Sequence, residues 1–327
     1  MGLGGYPPPG HFLGDIGFRT ELIHETAAVG RTRVDRFVAG ADGGARAGVL
    51  ATLVDVVGGL LGVSILQPDW MATADLTIQL VRPALGPFVE ARVELVRRGR
   101  TTMVIEADIV NVFEDGTEVP DPRGSSSPVA WSTTTFAILP GGNRTAPRDL
   151  PADLPARPDI SGAGLDRPVT DMLGMSVLDA AGGRVSLPVG PYVHNSIQAV
   201  QGGAMALLGD VAAAEALGAA TGLGAASTVV TDLQVAYLTL GRVGPIVTRA
   251  TVLDGGAGPG GGAGGGDAPA GPVPAAGSAV VELVDSGAGD RLTTVVNVRG
   301  MAADAFGAPW EPASDGVPDR TPHQGSP

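Results

Sequence analysis

Two stretches of the chain combine an apolar helical pattern with an Asp at a matched position. Residues 48–66 read GVLATLVDVVGGLLGVSIL, and residues 203–220 read GAMALLGDVAAAEALGAA. Each begins with Gly and has an Asp at the seventh position after it, Asp55 in the first stretch and Asp210 in the second. Apolar residues on every face are typical of a helix that is buried all round. The pattern therefore predicts two buried helices.

The residues that follow these helices also correspond. TADLTIQL at 73–80 matches TVVTDLQV at 228–235, and GPFV at 86–89 matches GPIV at 244–247. The two Asp residues are 155 positions apart and the Gly-Pro pairs 158 apart, so the copies differ by a short insertion. A repeat array would need three or more units. Two copies of about 130 residues instead indicate a duplicated domain whose halves pack together.

Runs of alternating and β-branched residues predict several strands around each helix. In the first copy the predicted strands lie at 22–37, 74–81, 88–97, 101–112 and 129–139. In the second copy they lie at 183–189, 229–240, 246–253, 279–285 and 292–299, after a short lead-in at 173–178. One long helix with four or five strands is an α+β arrangement. We therefore expect an antiparallel sheet wrapped around a single buried helix in each copy.

The 51 Gly and 27 Pro residues are placed unevenly and mark the boundaries of these copies. A Pro-rich stretch predicts a linker at 141–168, between an N-terminal domain at 11–140 and a C-terminal domain at 169–303. A Gly-rich insertion predicts a disordered loop at 255–277, and the tail at 304–327 is also expected to be disordered.

Composition excludes several kinds of chemistry. The chain has no Cys, which rules out disulfides, thiolate metal sites and a cysteine nucleophile. The four His are scattered, so no metal site is expected. A net charge of -13 argues against a nucleic-acid partner. Without a signal-like N-terminus or an unbroken apolar span, the chain is predicted to be a soluble cytoplasmic protein with no membrane partner.

One motif in the second copy indicates a catalytic site. Asn195 is followed by Gln201, which directly precedes Gly202 and Gly203, and Asp210 lies eight residues after the first of these glycines. This spacing resembles the signature of the hotdog-fold thioesterases of the phenylacetate-pathway (PaaI-like) group, in which His is usual where Gln201 stands. The resemblance implies an acyl-CoA thioesterase.

The first copy has a weaker form of the same motif. Arg46, Ala47 and Gly48 stand where the family has His-Gly-Gly, Gly40 stands where it has Asn, and Asp55 is retained. The resemblance covers nearly the whole chain. It implies a double hotdog, an α+β fold of two antiparallel sheets that each wrap one central helix and pack as an intrachain pseudo-dimer.

Helix geometry indicates that each site combines residues from both copies. Eight helical residues rise about 12 Å, so the N–H of Gly202 and the carboxylate of Asp210 cannot act on one carbonyl group. A thioester hydrolase needs a donor to the carbonyl oxygen and a carboxylate beside the carbon. The start of one helix must therefore face the Asp of the other copy.

This pairing predicts two composite sites of unequal quality. The first joins Asp55 to Asn195, Gln201 and the N–H of Gly202, and is expected to be the better catalyst. The second joins Asp210 to Arg46 and the N–H of Ala47. In both, the helix N-terminus would polarise the thioester oxygen while the Asp acts as general base or as nucleophile. Substrate-binding contacts are expected from Arg46, Ala47, Gly48 and Gly203.

The expected substrate is an acyl-CoA or another acyl thioester, and no cofactor is expected beyond the coenzyme A of the substrate. An acidic protein must meet the phosphates of coenzyme A with a local basic patch, for which Arg97, Arg98 and Arg100 are the candidates. Association into a homodimer is left open.

Other interpretations of these residues stay open. Asn195 and Gln201 could be turn or capping residues, the glycines could serve close packing, and the arginines could form a solvated turn. A non-catalytic acyl-CoA-binding or sensing protein is the main alternative function. Hydration or dehydration of an acyl thioester ranks last, because neither central helix contains a His.

Overall fold

The structure, a computed structural model, describes residues 7–120, 128–139, 164–255 and 276–306. The elements of the first half are α1 (Phe12–Ile16), β1 (Arg19–His24), β2 (Ala27–Arg33), α2 (Ala47–Leu66), β3 (Trp70–Leu80), β4 (Phe88–Arg98), β5 (Thr102–Val112) and β6 (Ala130–Leu139). Those of the second half are α3 (Val169–Met172), β7 (Ser176–Asp179), β8 (Arg184–Leu187), α4 (Gly202–Thr221), β9 (Thr228–Tyr237), β10 (Ile246–Gly255), β11 (Ala276–Asp285), β12 (Arg291–Ala302) and α5 (Ala303–Phe306).

The strands form one antiparallel sheet in the order β1-β2-β4-β5-β6-β3-β9-β12-β11-β10-β8-β7. The first six strands of this order, and the last six taken in reverse, have the same connectivity. Each half is therefore one hotdog unit. The expected α+β fold is confirmed. The two predicted sheets are, however, continuous, because β3 pairs directly with β9. The strand predicted at 22–37 is a hairpin, since the chain turns between β1 and β2.

The join between the halves lies on a pseudo-two-fold axis. In the pairing of β3 with β9, Ile78 lies opposite Leu233. These residues are 155 positions apart, the same offset that separates Asp55 from Asp210. Equivalent residues can lie opposite each other only at a two-fold axis. The axis therefore passes between Ile78 and Leu233.

The short helices at the start of each half repeat this symmetry, because each docks on the other half. The N–H of Phe12 in α1 donates to the carbonyl oxygen of Tyr192 at 3.2 Å. The N–H of Val169 in α3 donates to the carbonyl oxygen of Phe37 at 2.8 Å. Tyr192 and Phe37 are again 155 positions apart. The halves thus hold each other by reciprocal contacts in addition to the shared sheet.

The long helices α2 and α4 lie side by side inside the sheet. Where they cross, a side chain on Gly48 would meet the Cα of Leu207 at 2.5 Å, and one on Gly203 would meet the Cα of Thr52 at 2.6 Å. Both contacts are related by the pseudo-two-fold axis. Glycine at the second position of each helix therefore permits the close approach, and this approach carries each helix start to the Asp of the other helix.

The two helices are also long and apolar enough to cross a membrane by length and composition alone. In this fold 67% of the most apolar stretch of α2 and 83% of that of α4 are buried inside the protein. Burial on all sides accounts for their apolar sequences.

Some residues that were expected to be disordered form regular structure. Gly255 pairs with Gly277 at the ends of β10 and β11, and residues 304–306 belong to α5, where Phe306 packs against the core. Pairing to a neighbouring strand and burial of an aromatic ring outweigh the local composition. Residues 140–163, 256–275 and 307–327, which hold most of the predicted linker, loop and tail, lie outside the described residues.

Candidate active site

The first composite site, called site one below, is built around Asp55 in the middle of α2. The amide nitrogen of Gln201, from the other half, donates to Oδ2 of Asp55 at 2.7 Å. The hydroxyl of Thr73, on β3, donates to Oδ1 at 2.7 Å. The backbone N–H of Gly203 lies close enough to the same carboxylate to lower its pKa. Asp55 is 8% exposed and is held by donors from both halves.

Gln201 reaches Asp55 because it caps α4. Its Oε1 accepts a hydrogen bond from the N–H of Ala204 at 3.1 Å, which satisfies one of the unpaired donors at the helix start. With the oxygen fixed in this way, the amide nitrogen must point away from the helix, and there it meets Asp55. One side chain therefore orders the helix start and positions the carboxylate.

The surroundings of Asp55 make its carboxylate more basic. Burial raises the pKa of Asp55, while the hydrogen bonds from Thr73, Gly203 and Gln201 lower it, and the effect of burial is larger. These three groups are uncharged, and within the described residues no cation is paired with the carboxylate. A desolvated carboxylate without a counter-ion suits a general base or a nucleophile.

Gly202, the first residue of α4, lies directly against this carboxylate. A Cβ at Gly202 would be 2.9 Å from Oδ2 of Asp55. Within the part of the chain that the structure describes, the N–H of Gly202 makes no hydrogen bond. Its carbonyl oxygen accepts a hydrogen bond from the hydroxyl of Tyr237 at 2.9 Å. An open N–H at the positive end of a helix dipole thus lies beside the carboxylate of the other half.

The second composite site, called site two, has the same layout with different partners. The guanidinium of Arg46 donates to Asp210 through Nε at 3.2 Å and through Nη2 at 3.4 Å. The N–H of Gly48 donates to Oδ2 at 3.1 Å. Asp210 is 2% exposed. Its carboxylate is neutralised by an ion pair, and Ala47 stands where site one has Gly202.

In both sites the second helical residue, not the first, turns its N–H towards the Asp. The N–H of Gly48 donates to Asp210, and that of Gly203 lies near Asp55 and lowers its pKa. Gly48 and Gly203, which the sequence placed among the substrate contacts, therefore face the carboxylates. Within the described residues, no hydrogen bond to an acceptor is made by the N–H groups of Gly202 and Ala47, one residue earlier.

The predicted catalytic residue Asn195 holds a turn. Its Oδ1 accepts hydrogen bonds from the N–H groups of Ile197 and Ala199, both at 3.0 Å. In the first half, Asp42 does the same work, because its Oδ1 accepts from the N–H of Gly44 at 3.1 Å. Gly44 and Ala199 are equivalent positions. Asp42, two residues after Gly40, therefore supplies in the first half the turn-stabilising oxygen that Asn195 supplies in the second.

Asp42 also contributes to a small cleft at site two. The cleft is lined by Asp42, Arg46, Ala47 and Asp210, with Leu80 and the start of β9. Burial raises the pKa of Asp42, and the nearby charge of Asp210 raises it further, against the lowering effects of backbone hydrogen bonds and of Arg46. Sequence reasoning missed Asp42, although an Asp two residues before a Gly in a turn is a recognisable capping pattern.

The predicted basic patch lies at the other end of α2. Arg97, Arg98 and Arg100 are exposed at the turn between β4 and β5. The Nη1 of Arg98 donates to the carbonyl oxygen of Ile65 at 3.1 Å, near the C-terminal end of α2. Ten helical residues separate Ile65 from Asp55, or about 15 Å along the helix axis. The arginines therefore lie too far from Asp55 to contact the reacting carbonyl group.

Two more side chains of site one were not singled out from the sequence. Thr73 stands in a segment that matched between the copies, but nothing in its pattern showed that it would meet Asp55. Tyr237 lies at the end of β9, and its equivalent in the first half is Arg82. Within the described residues, no group of three His, Asp or Glu side chains is arranged to hold a metal ion.

Comparison with known proteins supports the fold. Residues 47–116 match the model of the Thioesterase superfamily. The chain is similar to a candidate thioesterase from Novosphingobium aromaticivorans DSM 12444, with a TM-score of 0.52 and 15% identity over 86% of this chain and 97% of that one. It is also similar to a candidate oleoyl thioesterase from Lactobacillus plantarum, with a TM-score of 0.51 and 11% identity over 85% and 95%. A search of curated proteins found no match.

The matched segment runs from the start of α2 to beyond the end of β5, so it contains Asp55 and Thr73. It falls on the first half, although the second half has the more complete motif. The chain has the hotdog fold, and residues 47–116, which lie within the first hotdog unit, match the Thioesterase superfamily.

Proposed function

We propose that the chain hydrolyses acyl thioesters at site one. The observation that supports this is the position of Asp55, a buried carboxylate held by uncharged donors against the open N-terminus of α4. The likeness of residues 47–116 to the Thioesterase superfamily favours the same chemistry.

In the proposed reaction the thioester oxygen accepts a hydrogen bond from the N–H of Gly202. The helix dipole then stabilises the negative charge that develops on this oxygen. Asp55 removes a proton from water as the water oxygen attacks the carbonyl carbon. The C–S bond breaks, the protonated Asp55 gives its proton to the leaving thiolate, and the free thiol and the acid are released.

A second route uses the same groups. The carboxylate of Asp55 attacks the carbonyl carbon directly, which expels the thiolate and gives a mixed anhydride that water then hydrolyses. Hydrolysis in ¹⁸O-labelled water under single-turnover conditions separates the routes. Label found in Asp55 by mass spectrometry indicates attack by the carboxylate. Label found only in the product acid arises from general base catalysis or from an anhydride that water opens at the acyl carbon, and trapping with hydroxylamine, which captures only the anhydride, tells these two apart.

We further propose coenzyme A as the carrier of the acyl group. The exposed Arg97 and Arg100, together with Arg98, would meet its phosphates. The reaction needs only water and the protein's own groups, so no cofactor is part of the proposal.

The decisive experiment is a panel of acyl-CoA thioesters assayed with a thiol-detecting reagent. We expect wild type to release thiol and Asp55→Asn to lose about 100-fold or more of kcat/KM, the range for removal of a general base. Asp210→Asn is the matched control and is expected to retain most activity. Near-normal turnover by Asp55→Asn would contradict the proposal, and a larger loss in Asp210→Asn would move the reaction to site two.

A non-catalytic acyl-CoA-binding protein is the second candidate. It is favoured by the fact that both carboxylate oxygens of Asp55 already accept hydrogen bonds and that the residue is 8% exposed. Isothermal titration with a non-hydrolysable acyl-CoA thioether decides between the two. Binding without any thiol release from the thioester panel would favour this function.

A further inference from the structure

Tyr237 is linked to Asp55 through a single peptide group. Its hydroxyl donates to the carbonyl oxygen of Gly202 at 2.9 Å. The N–H at the other end of that peptide group belongs to Gly203 and lies close enough to the carboxylate of Asp55 to lower its pKa. At site two the equivalent N–H, that of Gly48, donates to Asp210 at 3.1 Å. The peptide between Gly202 and Gly203 therefore lies between a phenol on one side and a carboxylate on the other.

The ring of Tyr237 also stands next to the carboxylate. Its Cζ lies 3.4 Å from the point where a Cβ of Gly202 would be, and Cγ of Asp55 lies at the same distance from that point. Tyr237 packs against the core. Burial, and then the charges of Asp55 and Asp75, raise the pKa of Tyr237 well above its usual value. The hydroxyl therefore stays protonated and remains a donor throughout the neutral pH range.

Hydrogen bonds in such a chain strengthen one another. A donor on the carbonyl oxygen polarises the peptide group, which makes its N–H a stronger donor. The N–H of Gly203 in turn stabilises the charged form of Asp55. Site two lacks this arrangement, because its equivalent of Tyr237 is Arg82.

We propose that Tyr237 is a positioning residue for Asp55, which fixes and polarises the peptide between Gly202 and Gly203 so that its N–H stays on the carboxylate. This inference rests on the proposed function of site one. The groups that face Asp55 there are Thr73 from β3, Gln201 from the start of α4 and Tyr237 from β9. Asp75, also on β3, is a second acid whose charge acts on Tyr237; burial raises the pKa of Asp75, and Gln234 beside it lowers it.

The test is Tyr237→Phe, which removes the hydroxyl and keeps the ring. With a weaker donor on the carboxylate, the charged form of Asp55 is less stable and its pKa rises. The acid limb of the pH profile of kcat/KM is then expected to move to higher pH by about 0.5 unit, with kcat reduced about fivefold and KM little changed. Tyr192→Phe is the matched control, because Tyr192 donates to Asp15 at 2.9 Å, outside site one, and its pH profile is expected to equal that of wild type.

A second measurement does not depend on activity. Titration of ¹³Cγ-labelled aspartate by NMR follows Asp55 directly, with Asp55→Asn used to assign its signal. We expect the midpoint of this titration to be higher in Tyr237→Phe than in wild type and in Tyr192→Phe. An unchanged midpoint would overturn the proposal. Full hydrolysis by Asp55→Asn would instead overturn the proposed function of site one, while the NMR comparison would still decide the role of Tyr237.

Discussion

Site one and site two occupy equivalent places in the two halves, yet their carboxylates are in different electrostatic states. Asp55 accepts hydrogen bonds from an amide and a hydroxyl, with the backbone N–H of Gly203 nearby. Asp210 forms an ion pair with Arg46, which holds its carboxylate in place. Burial raises the pKa of Asp55, so its carboxylate is more basic than one in water. The fold thus fixes where the two acids lie. The residue before the facing helix, Gln201 at site one and Arg46 at site two, determines whether the carboxylate has an ion-pair partner.

The first residue of each helix adds a second difference. Gly202 leaves room for the carboxylate of Asp55, since a Cβ there would stand 2.9 Å from Oδ2. Site two has the Cβ of Ala47 at the corresponding position. Once a duplicated chain holds two copies of a site, one copy can change in this way while the other keeps its geometry.

The largest expected effect comes from exchanging the capping residues. Gln201→Arg should place a guanidinium on Asp55 as Arg46 does on Asp210, and lower kcat/KM about 100-fold, the scale of a lost general base. The measurement is thioester hydrolysis with circular dichroism as a check on folding. Activity within twofold of wild type in a folded variant would show that the ion pair is not what separates the sites.

The reverse exchange tests whether site two can be made active. In an Asp55→Asn background, Arg46→Gln combined with Ala47→Gly gives site two the capping residue and the open helix start of site one. We expect thiol release above that of Asp55→Asn alone. No gain would mean that the cleft beside Asp42, or the absence of a phenol at Arg82, also limits site two.

The next effect concerns the helix crossing, where the two halves should respond alike. Gly48→Ala and Gly203→Ala each place a methyl group about 2.5 Å from atoms of the facing helix, and overpacking of this kind costs about 1–3 kcal/mol. Both should lower the free energy of unfolding in urea by similar amounts. The control is Gly59→Ala on α2, where a Cβ meets nothing within 4 Å and the gain in helix propensity is about 1 kcal/mol. A large difference between the first two variants would contradict the pseudo-symmetric crossing.

Gly202→Ala is expected to have a moderate effect on activity. The new methyl group displaces the carboxylate of Asp55 without touching the helix crossing, and kcat/KM should fall about tenfold, within the range for small misplacements of a catalytic group. Ala47→Gly is the matched change at site two and is expected to leave hydrolysis unaltered. Steady-state kinetics of both variants would show whether a glycine at the first helical position affects kcat/KM only where the carboxylate has no ion pair.

The smallest effect is on thermal stability. Because burial raises the pKa of Asp55 in the folded state, its contribution to stability is full below the unfolded pKa and is lost as the pH rises through the folded pKa. Asp55→Asn should therefore raise Tm by a few degrees at pH 7 to 8. The rotatable hydroxyl of Thr73 can accept a hydrogen bond from the new amide.

The increase in Tm caused by Asp55→Asn should depend on pH. It should become smaller as the pH falls through the raised pKa of Asp55, and calorimetry between pH 5 and 8 measures it. Asp108→Asn on the exposed face of β5 serves as control. A gain that is equal at all pH values would show that the charge of Asp55 is not its source.

Much of the fold could be predicted because the signals are local. The apolar pattern of α2 and α4 and most strand positions follow from periodicity, which needs only neighbouring residues. The helix geometry also required that an Asp of one half face the helix start of the other, and Asp55 with Gln201 and Asp210 with Arg46 are brought together in this way. The hairpin of β1 and β2 was missed because no strong turn residue separates its strands.

The sequence alone determined the duplication, the two buried helices and the matched positions of Asp55 and Asp210, because these are properties of spacing along the chain. Only the tertiary structure decided which groups each Asp meets. Thr73, Gly203 and Tyr237 reach site one, and Asp42 replaces Asn195 in the first half, through contacts set by side-chain packing. Gln201 and Asp55 are 146 residues apart in the chain, so the state of the carboxylate depends on how the halves pack.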